Sequence, residues 1–168
     1  MQSNKQGILI IIGGAEDKNN DCIILRKTAE LAGGKNGKII VLTVATDYPN
    51  QIGNEYKYLF NKLGVPNIDA LHIDSREDAN DQERLKRLEG ASCLFFTGGD
   101  QLKITSLIGG TIMDKFIKDA YASGLIIAGT SAGASVMSET MITSGIDDEA
   151  PKRCTVKMAP GLGLIHGV

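Results

Sequence analysis

The chain has 168 residues, the size of one domain, and its 42% apolar and 23% charged residues are typical of a globular protein, not of disorder or a coiled coil. Its 18 Lys and Arg against 20 Asp and Glu give a formal net charge of -2, which lacks the basic excess of a non-specific nucleic-acid binder. No apolar stretch approaches the ~20 residues of a membrane span, and the first residues lack the pattern of a secretory signal, so we expect a cytoplasmic protein without nucleic-acid or membrane partners.

Apolar runs and amphipathic segments alternate along the chain. Short, continuous apolar runs bounded by glycines predict strands buried on both faces, at 7–12, 38–44, 68–73, 91–97 and 124–128. Apolar residues three or four apart predict helices, at 21–31, 53–63, 81–89, 101–107 and 112–123. This alternation indicates a single α/β domain with a doubly wound, mostly parallel sheet. Residues 140–157 are polar and turn-rich, and no regular element is expected there.

The three cysteines, Cys22, Cys93 and Cys154, are an odd number without paired spacing. A zinc site or a disulfide framework would need pairs. We therefore expect buried free thiols, and neither a metal nor an organic cofactor.

A serine follows the last predicted strand in a distinctive turn. Residues 129–133 read GTSAG, a G-x-S-x-G pattern between a strand and a helix-compatible segment, which is the context of a nucleophile elbow. The small neighbours let the backbone turn sharply, so that Ser131 would raise its Oγ above the sheet. The backbone N–H of Ala132 would then point to where an oxyanion forms. The structural alternative is a glycine-rich helix start that Ser131 caps.

Two further turns follow predicted strands, where doubly wound sheets bind ligands. Residues 96–101 read FTGGDQ; Gly99 is a candidate second oxyanion donor, and Asp100 and Gln101 are candidates for substrate binding. The alternative for Asp100 is the N-cap of the next helix. Residues 13–18 read GGAEDK and, without a G-x-G-x-x-G pattern, indicate a turn with solvated charges.

A serine nucleophile needs a base, and neither histidine of the chain fits that role. His72 lies near the end of a predicted strand and is expected to be structural. His166 lies in the last segment without an evident partner. The residues alone therefore predict a nucleophile without a triad.

Taken together in this order and spacing, GGAEDK, FTGGDQ and GTSAGA resemble the cyanophycinases. These are serine peptidases of the family that also contains the aspartyl dipeptidase peptidase E. The resemblance covers essentially the whole chain and implies the flavodoxin-like fold shared with class I glutamine amidotransferases. It implies hydrolysis of cyanophycin, a poly-aspartate with arginine on each β-carboxyl, to β-aspartyl-arginine dipeptides.

The resemblance also implies roles for individual residues. Ser131 would be the nucleophile, Gly99 and Ala132 the oxyanion donors, and Gln101 would bind the aspartyl moiety of the substrate. Peptidase E-like members tend to carry Asn after the glycine pair, whereas this chain has Asp100 and Gln101, which favours a cyanophycinase. The family further suggests a homodimer without metal or organic cofactor.

One departure from the family pattern concerns the catalytic histidine. In the family, a Gly-Leu-Gly-Leu stretch leads into a strand and then an Asp-Gln-His segment. Residues 161–164 match the first stretch, but the sequence ends at Val168. We therefore expect 1–168 to be the N-terminal portion of a longer catalytic domain, near-inactive alone, its histidine lying beyond or on a separate C-terminal fragment.

Three alternatives stay open beside cyanophycin hydrolysis. The chain could be an aspartyl dipeptidase, a catalytically incomplete fragment that binds cyanophycin, or a flavodoxin-like protein that binds flavin or nucleotide. Comparing turnover of cyanophycin and of an Asp-X dipeptide distinguishes cyanophycin hydrolysis from the aspartyl dipeptidase and from the binding fragment. Colour and nucleotide-dependent melting test the third.

Overall fold

Five parallel strands form the central sheet of the computed structural model, which describes residues 6–145 and 156–167. In chain order they are β1 (Leu9–Ile12), β2 (Lys38–Leu42), β3 (Asn67–Leu71), β4 (Cys93–Phe96) and β5 (Ile126–Thr130). Their spatial order is β1-β5-β4-β2-β3, and every neighbouring pair is parallel. The predicted doubly wound α/β sheet is thus confirmed.

Helices follow or separate the strands of this sheet. They are α1 (Ile23–Leu31), α2 (Pro49–Lys62), α3 (Arg76–Ala79), α4 (Gln82–Leu88), α5 (Gln101–Ile108), α6 (Ile112–Ala122) and α7 (Ala132–Ser135), with a 3-10 turn at Gly34–Asn36. No helix among the described residues is long and apolar enough to cross a membrane.

The core has two apolar layers, one on each face of the sheet. Alternate residues of a strand point to opposite faces, so Phe96 packs in the layer that includes Ile104 of α5 and Ile117 of α6. Its neighbour Phe95 packs in the other layer, against Tyr56 and Phe60 of α2. Burial on both faces explains why the strands are continuous apolar runs in the sequence.

A hairpin occupies the segment for which no regular element was expected, so that prediction was wrong. Strand β6 (Thr140–Ser144) pairs antiparallel with β7 (Lys157–Pro160), with an irregularity between Ile142 and Ser144. The exposed Ile142 and Met158 blur the apolar alternation that marks a strand. The hairpin is instead defined by pairing between distant residues, which local periodicity does not report.

Two cysteines lie in the described part of the chain, and both are buried free thiols as expected. Burial raises the pKa of the Cys93 thiol to about 12. Cys154 lies outside the described residues. Within 6–145 and 156–167, no three His, Cys, Asp or Glu side chains come together as a metal site.

Candidate active site

Ser131 lies on a sharp turn between β5 and α7, at the carboxyl edge of the sheet. Its φ of 51° and ψ of -113° are uncommon for a residue with a side chain. Its N–H donates to the Ile12 carbonyl at 2.9 Å, and its own carbonyl accepts the N–H groups of Ala134 and Ser135, each at 2.9 Å. The serine itself is exposed. This is the conformation of a nucleophile elbow.

The two glycines of the G-x-S-x-G pattern are required by close backbone contacts. A Cβ on Gly129 would lie 2.3 Å from the Gly133 carbonyl oxygen, and one on Gly133 would lie 2.3 Å from the Phe96 carbonyl oxygen. Real Cβ atoms do not approach backbone so closely. The small residues around Ser131 are therefore a steric condition of the turn.

The loop after β4 passes directly beside the serine. A Cβ on Gly98 would lie 3.4 Å from the Ser131 Cβ. Gly99 has a φ of 138°, and a Cβ there would lie 2.1 Å from the Ala45 carbonyl oxygen. Neither the N–H of Gly99 nor that of Ala132 donates a hydrogen bond to any residue that the structure describes. Two such backbone donors flanking a serine can stabilise a developing oxyanion.

Asp100 and Gln101 both make contacts within the protein. The Asp100 Oδ1 accepts the N–H of Leu102 at 2.8 Å and of Lys103 at 3.4 Å, so Asp100 caps α5. The Gln101 side-chain amide donates to the Ile142 carbonyl at 3.0 Å and joins α5 to β6. The cap leaves the Asp100 Oδ2 available, so substrate binding by these two residues stays a prediction.

A pocket of about 230 Å³ opens beside the serine. It lies at the carboxyl ends of the strands, where a doubly wound sheet binds its ligands. Its walls are formed by Ala15, Glu16, Lys18, Thr46, Ile52, Tyr56, Gly98, Thr130 and Ser131. A larger cleft of about 590 Å³ runs between α5 and β7 and reaches this edge at Asp100.

The charges that follow β1 are not all solvated, contrary to the expectation for this turn. Asp17 is exposed, and the N–H groups of Asn20, Asn19 and Cys22 hold the pKa of its carboxyl at about 2. Glu16, by contrast, accepts the Thr130 hydroxyl at 2.5 Å and the Tyr56 hydroxyl.

The surroundings of Tyr56 are charged as well as buried. Burial, and then its hydrogen bond to Glu16, raise the pKa of this tyrosine. Lys18 Nζ lies 4.4 Å from the centre of the Tyr56 ring and 3.4 Å from Glu55 Oε1. The sequence marks Glu16 only as a member of the GGAEDK motif and gives no sign of this contact, because its partner Thr130 is 114 residues away.

Neither histidine reaches the serine. His72 Nδ1 lies 2.9 Å from the Thr43 carbonyl oxygen and its Nε2 2.6 Å from Asp74 Oδ1, in agreement with a structural role. His72 follows β3, three strand spacings from β5, which is roughly 14 Å. His166 lines a cavity with Gln6 and Tyr121, at the amino end of the sheet and opposite to the elbow.

Comparison with known proteins identifies the family. The chain belongs to peptidase family S51, whose family model matches residues 9–168, as the resemblance of its motifs predicted. It is 39% identical over 168 residues to the cyanophycinase of Trichormus variabilis, covering 99% of this chain and 56% of that protein. It is 38% identical over 167 residues to the cyanophycinase of Synechococcus elongatus, covering 99% of this chain and 52% of that protein.

The chain therefore spans about half the length of the curated relatives it matches. Among solved structures, it is similar to a peptidase from an acI-B1 Actinobacterium, with a TM-score of 0.73 and 23% identity over 95% of this chain and 65% of that one. This likeness independently supports the fold.

Proposed function

We propose that the chain carries the nucleophile and the oxyanion hole of a serine peptidase that hydrolyses cyanophycin to β-aspartyl-arginine dipeptides. The observation that carries the proposal is the exposed Ser131 at a φ of 51°, which lies beside the loop of Gly98 and Gly99 and directly before Ala132. Membership of peptidase family S51 and the similarity to cyanophycinases support it.

The proposed reaction begins with attack of the Ser131 Oγ on an aspartyl carbonyl carbon, while a general base takes the hydroxyl proton. The N–H groups of Gly99 and Ala132 hold the oxyanion of the tetrahedral intermediate. The C–N bond then breaks, the amine leaves with a proton, and an acyl group stays on Ser131. Water attacks this ester, which releases the product acid and restores the serine.

Backbone donors suit this task because they are fixed before the substrate arrives. Gly99 is held against Ala45, since the Asp100 N–H donates to the Ala45 carbonyl at 2.9 Å. Ala132 is the first residue of α7, so its N–H has no partner within the helix. Preorganised donors need no rearrangement at the moment of reaction.

We propose that the general base is a histidine from outside the described residues, because neither described histidine reaches Ser131. We expect residues 1–168 alone to be near-inactive, with only the residual catalysis of binding and an oxyanion hole. That 1–168 is the N-terminal portion of a longer catalytic domain stays a prediction. Asp100, through its Oδ2, and Gln101 are proposed to bind the aspartyl part of the substrate.

Replacement of the serine tests the proposed function in the complete protein. We expect Ser131→Ala to lower the rate of dipeptide release from cyanophycin by about 10⁴-fold or more, since it removes the nucleophile. Dipeptide release is measured by chromatography with mass detection. Ser123→Ala is the matched control, because Ser123 is exposed at the end of α6 and, among the described residues, its hydroxyl donates only to the Asp119 carbonyl. Equal rates for Ser131→Ala and the wild type would contradict the proposal.

The choice of substrate separates the proposed function from its alternatives. A cyanophycinase releases dipeptides from cyanophycin and leaves an Asp-X dipeptide intact, whereas an aspartyl dipeptidase does the reverse. A binding fragment retains cyanophycin without turnover. Intact mass in native and denatured solution tests two further predictions, namely a homodimer and a separate C-terminal fragment.

A further inference from the structure

Glu16 joins three parts of the chain at the foot of the elbow. It follows β1 in sequence, and its Oε2 accepts the hydroxyl of Thr130 at 2.5 Å. Thr130 is the last residue of β5 and directly precedes Ser131. The Glu16 Oε1 accepts the hydroxyl of Tyr56 on α2. Both hydroxyl-bearing residues are buried, with exposed fractions of 3% for Thr130 and 2% for Tyr56.

The elbow needs such support because its conformation is strained. A non-glycine residue at positive φ costs of the order of 1–3 kcal/mol and persists only where its surroundings fix it. Helix α7 on the far side of Ser131 has four residues, too few for an independently stable helix. On the other side the turn rests on the segment of β1, where the Ile12 carbonyl accepts the Ser131 N–H at 2.9 Å and a Cβ on Gly14 would lie 3.2 Å from the Ser131 Cβ.

We infer that Glu16 is a positioning residue of the nucleophile, which it holds through Thr130. This inference rests on the proposed function, since it assigns Glu16 a part in the reaction of Ser131. A carboxylate accepts two hydroxyl protons at once, and hydrogen bonds to a charged acceptor are the stronger kind. Glutamine at this position has one acceptor oxygen, so one of the two hydroxyls must reverse its hydrogen bond.

The sharpest test is Thr130→Val in the complete, active protein, because it removes the hydroxyl and nearly preserves the shape of the side chain. The variant loosens the residue before Ser131, and Thr130, at 3% exposure, offers little surface of its own to a substrate in the pocket beside the serine. We expect kcat for cyanophycin to fall about 10- to 100-fold, since a displacement near 1 Å of a reacting group costs about 100-fold. We expect KM to stay within about twofold, because Thr130 acts on the nucleophile and not on substrate binding.

Glu16 itself is tested by Glu16→Gln, singly and combined with Thr130→Val. If both residues act through the same hydrogen bond, the double variant loses no more than about threefold beyond the larger single effect. Full multiplication of the two losses would overturn the inference, because Glu16 would then act on the reaction by another route.

Thr28→Val is the matched control for the loss of a buried threonine hydroxyl. Thr28 is fully buried in α1, and its hydroxyl donates to the Ile24 carbonyl at 2.9 Å, within a helix that does not carry Ser131. Melting temperatures are measured for every variant. We expect wild-type kcat for Thr28→Val.

The possible outcomes separate this inference from the proposed function. An active wild type whose kcat is unchanged by Thr130→Val, or lowered equally by Thr28→Val, overturns the inference and leaves the proposed function standing. A wild type that hydrolyses neither cyanophycin nor an Asp-X dipeptide overturns the proposed function, and the inference with it. A fall in kcat confined to the variants of Thr130 and Glu16, at unchanged KM, supports both.

Discussion

Gly99 shows at the scale of one residue how a missing side chain shapes the site. Its φ of 138° is a conformation that residues with a Cβ rarely adopt, and a Cβ there would lie 2.1 Å from the Ala45 carbonyl oxygen. Backbone can therefore pass this close to Ala45 only because the residue is glycine.

We predict that Gly99→Ala impairs both stability and catalysis. The added Cβ must displace the loop from Ala45, which moves the proposed oxyanion donor. Loss of one such donor costs about 10²- to 10³-fold in kcat. The control is Gly13→Ala, because a Cβ on Gly13 meets nothing within 4 Å and its φ is not positive. Kinetics on cyanophycin and thermal melting measure both effects, and a wild-type kcat for Gly99→Ala would exclude Gly99 as a donor.

Single residues were predictable from the sequence where the physical demand on them was local. The small residues that the turn around Ser131 requires are consecutive in the sequence, so the turn could be identified before its structure was known. Glu16 could not be identified, because its bond to Thr130 depends on the pairing of β1 with β5. Nothing local to Glu16 distinguishes it from the exposed Asp17 beside it.

At the scale of elements, α5 begins at the candidate site and depends on its cap. We predict that Asp100→Ala lowers the free energy of unfolding by about 1 kcal/mol, the usual effect of losing an N-cap. Asp100→Asn keeps a cap of similar strength, so its stability should match the wild type. We expect both variants to raise KM for cyanophycin, because both remove the carboxylate. An unchanged KM for Asp100→Asn would limit Asp100 to capping.

The loop between β1 and α1 gives a second prediction at this scale. Hydrogen bonds from the N–H groups of Asn20, Asn19 and Cys22 lower the pKa of Asp17 to about 2, whereas an unfolded aspartate titrates near 4. Because the pKa is lower in the folded state, Asp17 stabilises the fold above about pH 4, and this contribution disappears as the pH falls toward 2.

Denaturant unfolding between pH 4 and pH 2 measures this contribution. We expect Asp17→Asn to flatten part of the decline in the free energy of unfolding over that window. Asp21→Asn is the control, because the Asp21 carboxylate accepts no hydrogen bond from the described residues, and it should leave the decline in place. Identical pH profiles for Asp17→Asn and the wild type would refute the role of Asp17.

The bounds of elements were predictable to within a few residues where one signal dominated. Strand β4 was expected at 91–97 and is Cys93–Phe96, because a buried run between turn residues has a single interpretation. Helix α2 begins at Pro49, four residues before the expected start, since proline fits the first helical turn. The β6–β7 hairpin was missed because its two strands define each other by pairing.

At the scale of the whole molecule, the order of the strands builds the site. Strands β1, β5, β4 and β2 are neighbours in the sheet, so the loops that follow them meet at one edge. These loops supply Glu16, Ser131, Gly99 and Thr46 to the same neighbourhood. The alternation of strands and helices predicted that these loops lie at one edge of the sheet. It did not predict the contacts between the loops, which depend on the register of the paired strands.

The most direct test of the proposed nucleophile is to treat the active protein with a fluorophosphonate, a reagent that esterifies activated serines, and to identify the modified residue. After labelling and proteolysis, tandem mass spectrometry locates the added mass. The account predicts one modified residue, Ser131, with loss of cyanophycin hydrolysis in proportion to the label. Hydrolysis that is inactivated by a label on another residue, with Ser131 unmodified, would contradict it.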